Sequence, residues 1–303
     1  MSQIRLKKRF IAAVLAIIIP QVLSALGHET LATPSGLNLE MAFRVLGPGE
    51  PLIFILKNQP GITAVTVRFL GKRLVLKPSR IGRSSFAFLG IDLDIKPGSY
   101  PLDAHFERKK GSVEVIHRDI AILPRDFSSA RLWVKKEMAT PPKSAAERIR
   151  RESEIIRIVF SLNTPEWLGD GAFIAPHPAE SWSNFGQRRI TNNVLRTVHG
   201  GVDIMAPPDD PIRSVNRGRV VLAADFFLSG KTVIIDHGLG VFSFYCHLAR
   251  LLVKRGEVVI KGQVIGRCGS TGRSTGPHLH WAMLIGESRV DPYAMVLLPI
   301  SVF

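Results

Sequence analysis

Two histidines set two residues apart in an apolar run constrain this chain most: Gly276-Pro277-His278-Leu279-His280-Trp281, continued by Ala282, Met283, Leu284 and Ile285. Residues i and i+2 of a strand face the same way, so both imidazoles are expected to enter one site. A second stretch, His199-Gly200-Gly201-Val202-Asp203, offers an imidazole and a carboxylate. Two glycines between them and Pro207-Pro208 beyond predict strand and loop rather than helix. Three nitrogen and oxygen donors with one open position suit a catalytic zinc. His199, Asp203 and one of His278 or His280 could supply them.

Other motifs surround these two. They are Phe185-Gly186-Gln187-Arg188-Arg189, Ala206-Pro207, Gly218-Arg219-Val220, Ile235-Asp236-His237-Gly238, Tyr245-Cys246-His247-Leu248, Lys261-Gly262-Gln263, Gly269-Ser270-Thr271-Gly272 and Val290-Asp291-Pro292. In order and spacing the set resembles the lysostaphin/LytM-type zinc metallopeptidases over roughly Trp167 to Pro292. The resemblance implies a largely antiparallel β catalytic domain, a duplicated hybrid motif, with a groove and one zinc per chain on its floor. It implies His199, Asp203 and His280 as metal ligands, with His278 left to take the proton of the attacking water. His247 is then the second non-ligand histidine, orienting the water or stabilising the oxyanion. The activity implied is hydrolysis of peptidoglycan peptide cross-links by zinc-activated water. A D-alanyl–diaminopimelate bond is the expected target, and a glycine bridge the alternative. Some relatives have lost their ligands and serve as amidase activators. This chain keeps all five polar site residues, so an enzyme is expected, and a non-enzymatic wall-binding or amidase-activating protein is the second reading. Asp209-Asp210 and Cys246 depart from the family pattern without removing a site residue.

Forty lysines and arginines against 25 acidic residues give a formal charge of +15. Such a chain suits an anionic partner. With no nucleic-acid motif and no dense basic run, a solvated basic surface is the default reading, and among anionic partners a wall polymer is expected rather than nucleic acid. The first 27 residues read as a signal peptide: basic from Arg5 to Arg9, apolar from Phe10 to Ile19, then Ala25-Leu26-Gly27 as a small-x-small cleavage site. Pro20 and Gln21 interrupt the apolar run, which is short for a membrane span. The mature chain is expected to begin near His28 and to be periplasmic in a Gram-negative cell, with membrane contact only through an uncleaved leader. Regulatory wall-synthesis proteins are the further partners envisaged. The two cysteines, Cys246 and Cys268, are expected as buried free thiols. Cys246 should point away from the site, because neighbours on a strand alternate.

The chain reads as mainly β. Residues 28–125 carry short strand-like runs, such as Leu52 to Leu56, Ala64 to Phe69 and Lys72 to Leu76, punctuated by Pro and Gly. Their spacing predicts an immunoglobulin-like β-sandwich, in which His105 and His117 are structural or exposed. Residues 126–165 form a linker. Ser144-Ala145-Ala146-Glu147 fits a capping box, and Ala145, Ile149, Ile156 and Phe160 share one helical face. The catalytic domain is expected over 166–303, and a fragment starting near Ser161 is expected to fold and hold zinc.

Overall fold

The computed structural model describes residues 27–57, 59–76, 84–181 and 184–300. The leader preceding Gly27 lies outside the described residues. Eight strands open the fold: β1 (Gly27–Ala32), β2 (Asn38–Phe43), β3 (Pro51–Lys57), β4 (Ile62–Phe69), β5 (Lys72–Leu76), β6 (Ser84–Gly90), β7 (Gly98–Arg108) and β8 (Val113–Ile122). They make two antiparallel sheets, ordered β1-β2-β3-β6 and β5-β4-β7-β8. Leu39, Phe54, Val65, Phe69 and Phe106 pack in one shared core.

The run Leu52-Ile53-Phe54-Ile55-Leu56 is apolar without alternation because β3 is covered on both faces. Leu52, Phe54 and Leu56 turn into the core of the first two sheets. Ile53 and Ile55, with Ala42 and Phe88, turn the other way and join the core of the C-terminal half. There Phe88 and Phe86 pack against Trp167, with ring centroids 5.2 and 5.9 Å away.

The connecting segment contributes more than a helix. Strand β9 (Ser129–Leu132) pairs in parallel with β10 (Arg188–Thr191), which pairs antiparallel with β11 (Leu195–Val198). A short α1 (Lys136–Ala139) precedes α2 (Lys143–Phe160). The expected capping box is absent. Pro142, extended at φ −64° and ψ 154°, holds the N-cap position, with no side-chain cap. Ser144 is therefore already helical, and its hydroxyl is inside the first turn rather than before it. Glu147 instead accepts from Arg150 Nη2 at 2.8 Å. The apolar stripe does form: Ala145, Val159 and Phe160 are buried, and Ile156 packs beside the last two.

The remaining strands are β12 (Val202–Ile204), β13 (Pro211–Arg213), β14 (Gly218–Phe226), β15 (Gly230–Asp236), β16 (Val241–Leu248), β17 (Arg250–Leu251), β18 (Val258–Val259), β19 (Val264–Arg267), β20 (Leu279–Ile285) and β21 (Ser288–Val290), closed by α3 (Pro292–Leu297). The main sheet runs β12-β20-β16-β15-β14-β18 with β21 on β20, and a small sheet runs β13-β19-β17. One face of the main sheet, with Tyr245, Trp281, Met283 and Ile285, forms the C-terminal core. The other carries Phe242, Ala282 and Leu284, on which Val159 and Phe160 of α2 pack.

Charged side chains tie the two halves. Buried Glu50 accepts from Arg44 and Arg125, the latter at 2.7 Å. Both guanidiniums also reach Asp291 Oδ2, each at 2.8 Å. Asp291 caps α3 as well, its Oδ1 accepting from Tyr293 N at 3.1 Å. On another side of the contact, Arg289 Nη2 bonds Asp92 Oδ1 at 2.6 Å, and Lys72 reaches Gly90 O and Ser288 Oγ.

Candidate metal centre

β12 and β20 place the site by register: Asp203 lies opposite His280, and His280 lies opposite Cys246 of β16. Antiparallel partners in register share a face, so all three side chains emerge on the α2 side of the sheet. His199 arrives from the turn between β11 and β12. That turn passes close under β20, since a Cβ on Gly201 would lie 2.4 Å from Trp281 O and 2.9 Å from His280 Cε1. Glycine is the residue that fits there.

Three donor atoms converge. His199 Nε2 is 2.8 Å from His280 Nδ1, and Asp203 Oδ1 is 3.1 and 3.0 Å from these two nitrogens. His199 Nδ1 donates to Asn184 O at 2.9 Å, which leaves the His199 Nε2 lone pair facing inward. Two lone pairs, on His199 Nε2 and Asp203 Oδ1, thus face His280 Nδ1, whose one proton can satisfy only one of them. A cation satisfies all three, so the donor set fits a zinc-like ion. Burial alone would raise the Asp203 carboxyl, but its bonds to His199 and His280 outweigh this and hold it well below the carboxylate range. Burial lowers His280 to about 4.

Two more imidazoles stand beside this triad. His278, bridged to Gly269 just before β20, donates from Nδ1 to Gly276 O at 2.8 Å. Its Nε2 lies 3.7 Å from Asp203 Oδ1. His247 donates from Nδ1 to Thr271 O at 2.8 Å, and its ring centroid is 5.0 Å from that of His278. Burial, helped by His278 and His280, pushes His247 down to about 3, so it is neutral at pH 7. All five residues expected from the sequence therefore come together in one place.

His247 also corrects an expectation. It adopts φ 61°, a left-handed backbone inside the end of β16. Such a conformation costs a non-glycine residue about 1–3 kcal/mol and is held by its surroundings. It breaks the strand alternation at this point. Cys246 does not point away from the site: it lies opposite His280 in register, on the site face, and the break lets His247 line the same groove. Its thiol is buried, and burial and the Asp203 charge raise its pKa far above the ordinary value. Both cysteines are free and buried, as expected.

Sequence reasoning missed three contributors. Asn184 Nδ2 donates to Asp203 Oδ2 at 3.0 Å, its Oδ1 accepts from Asp203 N at 3.0 Å, and its carbonyl holds His199. Arg189 donates to Asp203 Oδ2 at 2.7 Å. Only the closeness of both to the Phe185-to-Arg189 motif pointed to them. The third is β9, whose Ala130 and Leu132 line a groove of about 550 Å³ above the His-Asp-His cluster. His237 makes structural contacts: it is fully buried with Nδ1 on Arg217 O and Nε2 on Ser243 Oγ, at 2.8 and 2.7 Å. His177 is likewise a structural contact, with Asp210 and Ala179 N as partners.

A mostly β molecule whose antiparallel sheet presents a buried His-Asp-His cluster in a groove has the organisation of a metallopeptidase. The model of peptidase family M23 matches residues 197–292, and this region of the chain is a peptidase family M23 domain. The peptidoglycan DD-endopeptidase ShyA of Vibrio cholerae is 39% identical over 104 residues, 34% of this chain and 24% of that protein. The DD-carboxypeptidase/endopeptidase Mpg of Neisseria meningitidis is 38% identical over 117 residues, 38% of this chain and 26% of the relative. These matches span about a quarter of the relatives' lengths. A crystal structure of a Pseudomonas aeruginosa protein assigned to peptidase M23 aligns over 83% of this chain and 95% of its own, at 27% identity and a TM-score of 0.62.

Proposed function

We propose that the chain is a zinc metalloendopeptidase that hydrolyses peptide cross-links of peptidoglycan. The observation that carries this is the clustering of His199, Asp203 and His280 within 4.8 Å, with His247 and His278 beside them. The names of the Vibrio and Neisseria relatives support the substrate and favour a D-alanyl–diaminopimelate bond. His199, Asp203 and His280 would hold the ion, which when bound supplies polarisation of the scissile carbonyl and a lowered pKa for water.

The remaining chemistry belongs to the protein. His278 spends its Nδ1 proton on Gly276 O, so its Nε2 lone pair is the base that takes the proton of the attacking water and returns it to the leaving amine. His247 spends its Nδ1 proton on Thr271 O. Its neutral Nε2 can only accept, so it orients the water rather than stabilising the oxyanion. Asn184 and Arg189 fix the rotation of the Asp203 carboxylate and keep Oδ1 turned inward. The groove walls shield the reacting groups from bulk water.

For the N-terminal half we infer an immunoglobulin-like sandwich, supported by the β2-β3-β6 and β5-β4-β7-β8 strand orders. Export through the leader and a periplasmic location complete the reading. Digestion of purified peptidoglycan, with and without a chelator, tests the activity. His280→Ala should lose both metal and turnover. His278→Ala and His247→Ala should keep about one zinc and lose at least a hundredfold in kcat. Undiminished zinc in His280→Ala, or its loss in His278→Ala, would reverse the assignment of ligand and base.

A further inference from the structure

One basic side chain of the groove has no counter-charge among the described residues. The charged residues lining the groove, apart from the histidines, are Asp203, Arg189 and Arg273. Asp203 is spent on the triad and on Arg189, and Arg189 is also engaged with Gln187. Arg273 differs. Its guanidinium is partly buried and makes no ion pair or side-chain hydrogen bond among the described residues. A guanidinium pulled partly out of water and left unpaired is unfavourable unless a ligand supplies the partner. Burial and repulsion from Arg189 both pull its pKa down.

The backbone under Arg273 is fixed. Arg273 N donates to Leu228 O at 2.7 Å, and Gly272, at φ +73°, packs so tightly that a Cβ would lie 2.3 Å from Gly230 N. Thr271, two residues back, supplies the carbonyl that holds His247. Ser274, next in the chain, has its Oγ 3.2 Å from His278 Nδ1. Arg273 thus stands on the loop that sets both non-ligand histidines, and its side chain lines the groove.

We propose that Arg273 is a specificity-determining residue that pairs with a free carboxylate on the peptide substrate. The planar guanidinium presents a fork of donors matched to a carboxylate. This deepens the peptidoglycan-hydrolase reading and rests on it. A diaminopimelate acylated on one amine keeps a carboxylate on the same carbon, directly beside the scissile amide, and the peptide's terminal D-alanine carries another. A polyglycine bridge has no ionisable group close to the bond. The pairing therefore selects the first class of cross-link over the second.

The test is calorimetric binding of an uncleaved disaccharide tetrapeptide to the metal-loaded full-length protein. Three forms are compared: unmodified, amidated at the diaminopimelate carboxylate, and amidated at the terminal D-alanine. One amide should weaken wild-type binding by about tenfold to a hundredfold, the range of a hydrogen-bonded charge pair, and so identify the carboxylate. Arg273→Gln should bind the unmodified ligand as weakly as wild type binds that amide, and lose nothing further on amidation. Arg273→Lys, with the charge but not the fork, should fall between, and it carries the comparison if Arg273→Gln is unstable. No binding by wild type, equal affinity for all three forms, or an undiminished preference in Arg273→Gln would overturn the proposal. Hydrolysis of a cross-linked dimer is measured separately. Absence of cleavage with the binding preference intact refutes the hydrolase reading alone, and cleavage without preference refutes Arg273 alone.

Discussion

Asp203 has both carboxylate oxygens in use, Oδ1 toward the two histidines and Oδ2 on Asn184 and Arg189. Outer hydrogen bonds of this kind typically change metal affinity by about 10–100-fold. Arg189→Met is therefore expected to weaken zinc binding by that factor in competition with a chelator, and an affinity within threefold of wild type would count against the role. His237 gives a pH effect remote from the metal. Burial lowers it to about 4, against 6.5 for a free imidazole. Below pH 6.5 the unfolded chain takes up a proton that the native site refuses, so stability falls toward pH 4. The loss is about 3 kcal/mol over that window. Urea unfolding at pH 7 and 4.5 should show His237→Gln with a shallower loss than wild type. His199, Asp203, His278 and His280 were legible as candidates from residue type and spacing, whereas His247 and the division into ligands and bases came only through the family resemblance. Asn184 and the direction of Cys246 were not legible, since the first depends on a loop returning to the site and the second on the strand register that sets Cys246 opposite His280.

At the scale of elements, most of the strands were legible as alternating or apolar runs. The β3 run also held its double burial in plain sight, though two-sided covering requires knowing the neighbour. The start of α2 was misread because a serine and a glutamate three apart fit a local rule that Pro142 pre-empts. Ser144→Ala should accordingly cost under about 0.3 kcal/mol, not the ~1 kcal/mol of a working N-cap. Equal thermal midpoints for the two proteins would bear this out. The C-terminal end of α2 has more at stake. Phe160 touches Phe244, whose ring in turn lies 6.4 Å from that of His280. The helix thus closes one end of the site face, which its sequence alone does not reveal.

For the molecule as a whole, the boundary drawn near residue 161 cuts through shared structure. A fragment starting at Ser161 lacks β9, which leaves the edge of β10 bare and removes one wall of the groove. It also strips Ile53, Ile55 and Phe88 from the C-terminal core and takes both guanidiniums from Asp291. Its urea midpoint should fall well below that of the full chain, with aggregation when the exposed core surface is left free. A cooperative transition at the full-length midpoint would restore the autonomous domain expected from the sequence.

The carboxylate of Asp291 has a consequence in time as well as in space. It sits near the end of the chain, yet its partners Arg44 and Arg125 lie 247 and 166 residues earlier. Contacts of such sequence separation slow folding, because the long loop between the ends must close before they reward it. Until residue 291 is available, Glu50 and its two arginines lack their second anion, and the outward face of β3 lacks its cover. A chain emerging from a ribosome or a translocation pore would then acquire its first two sheets early. The contact that locks them to the C-terminal half would form last.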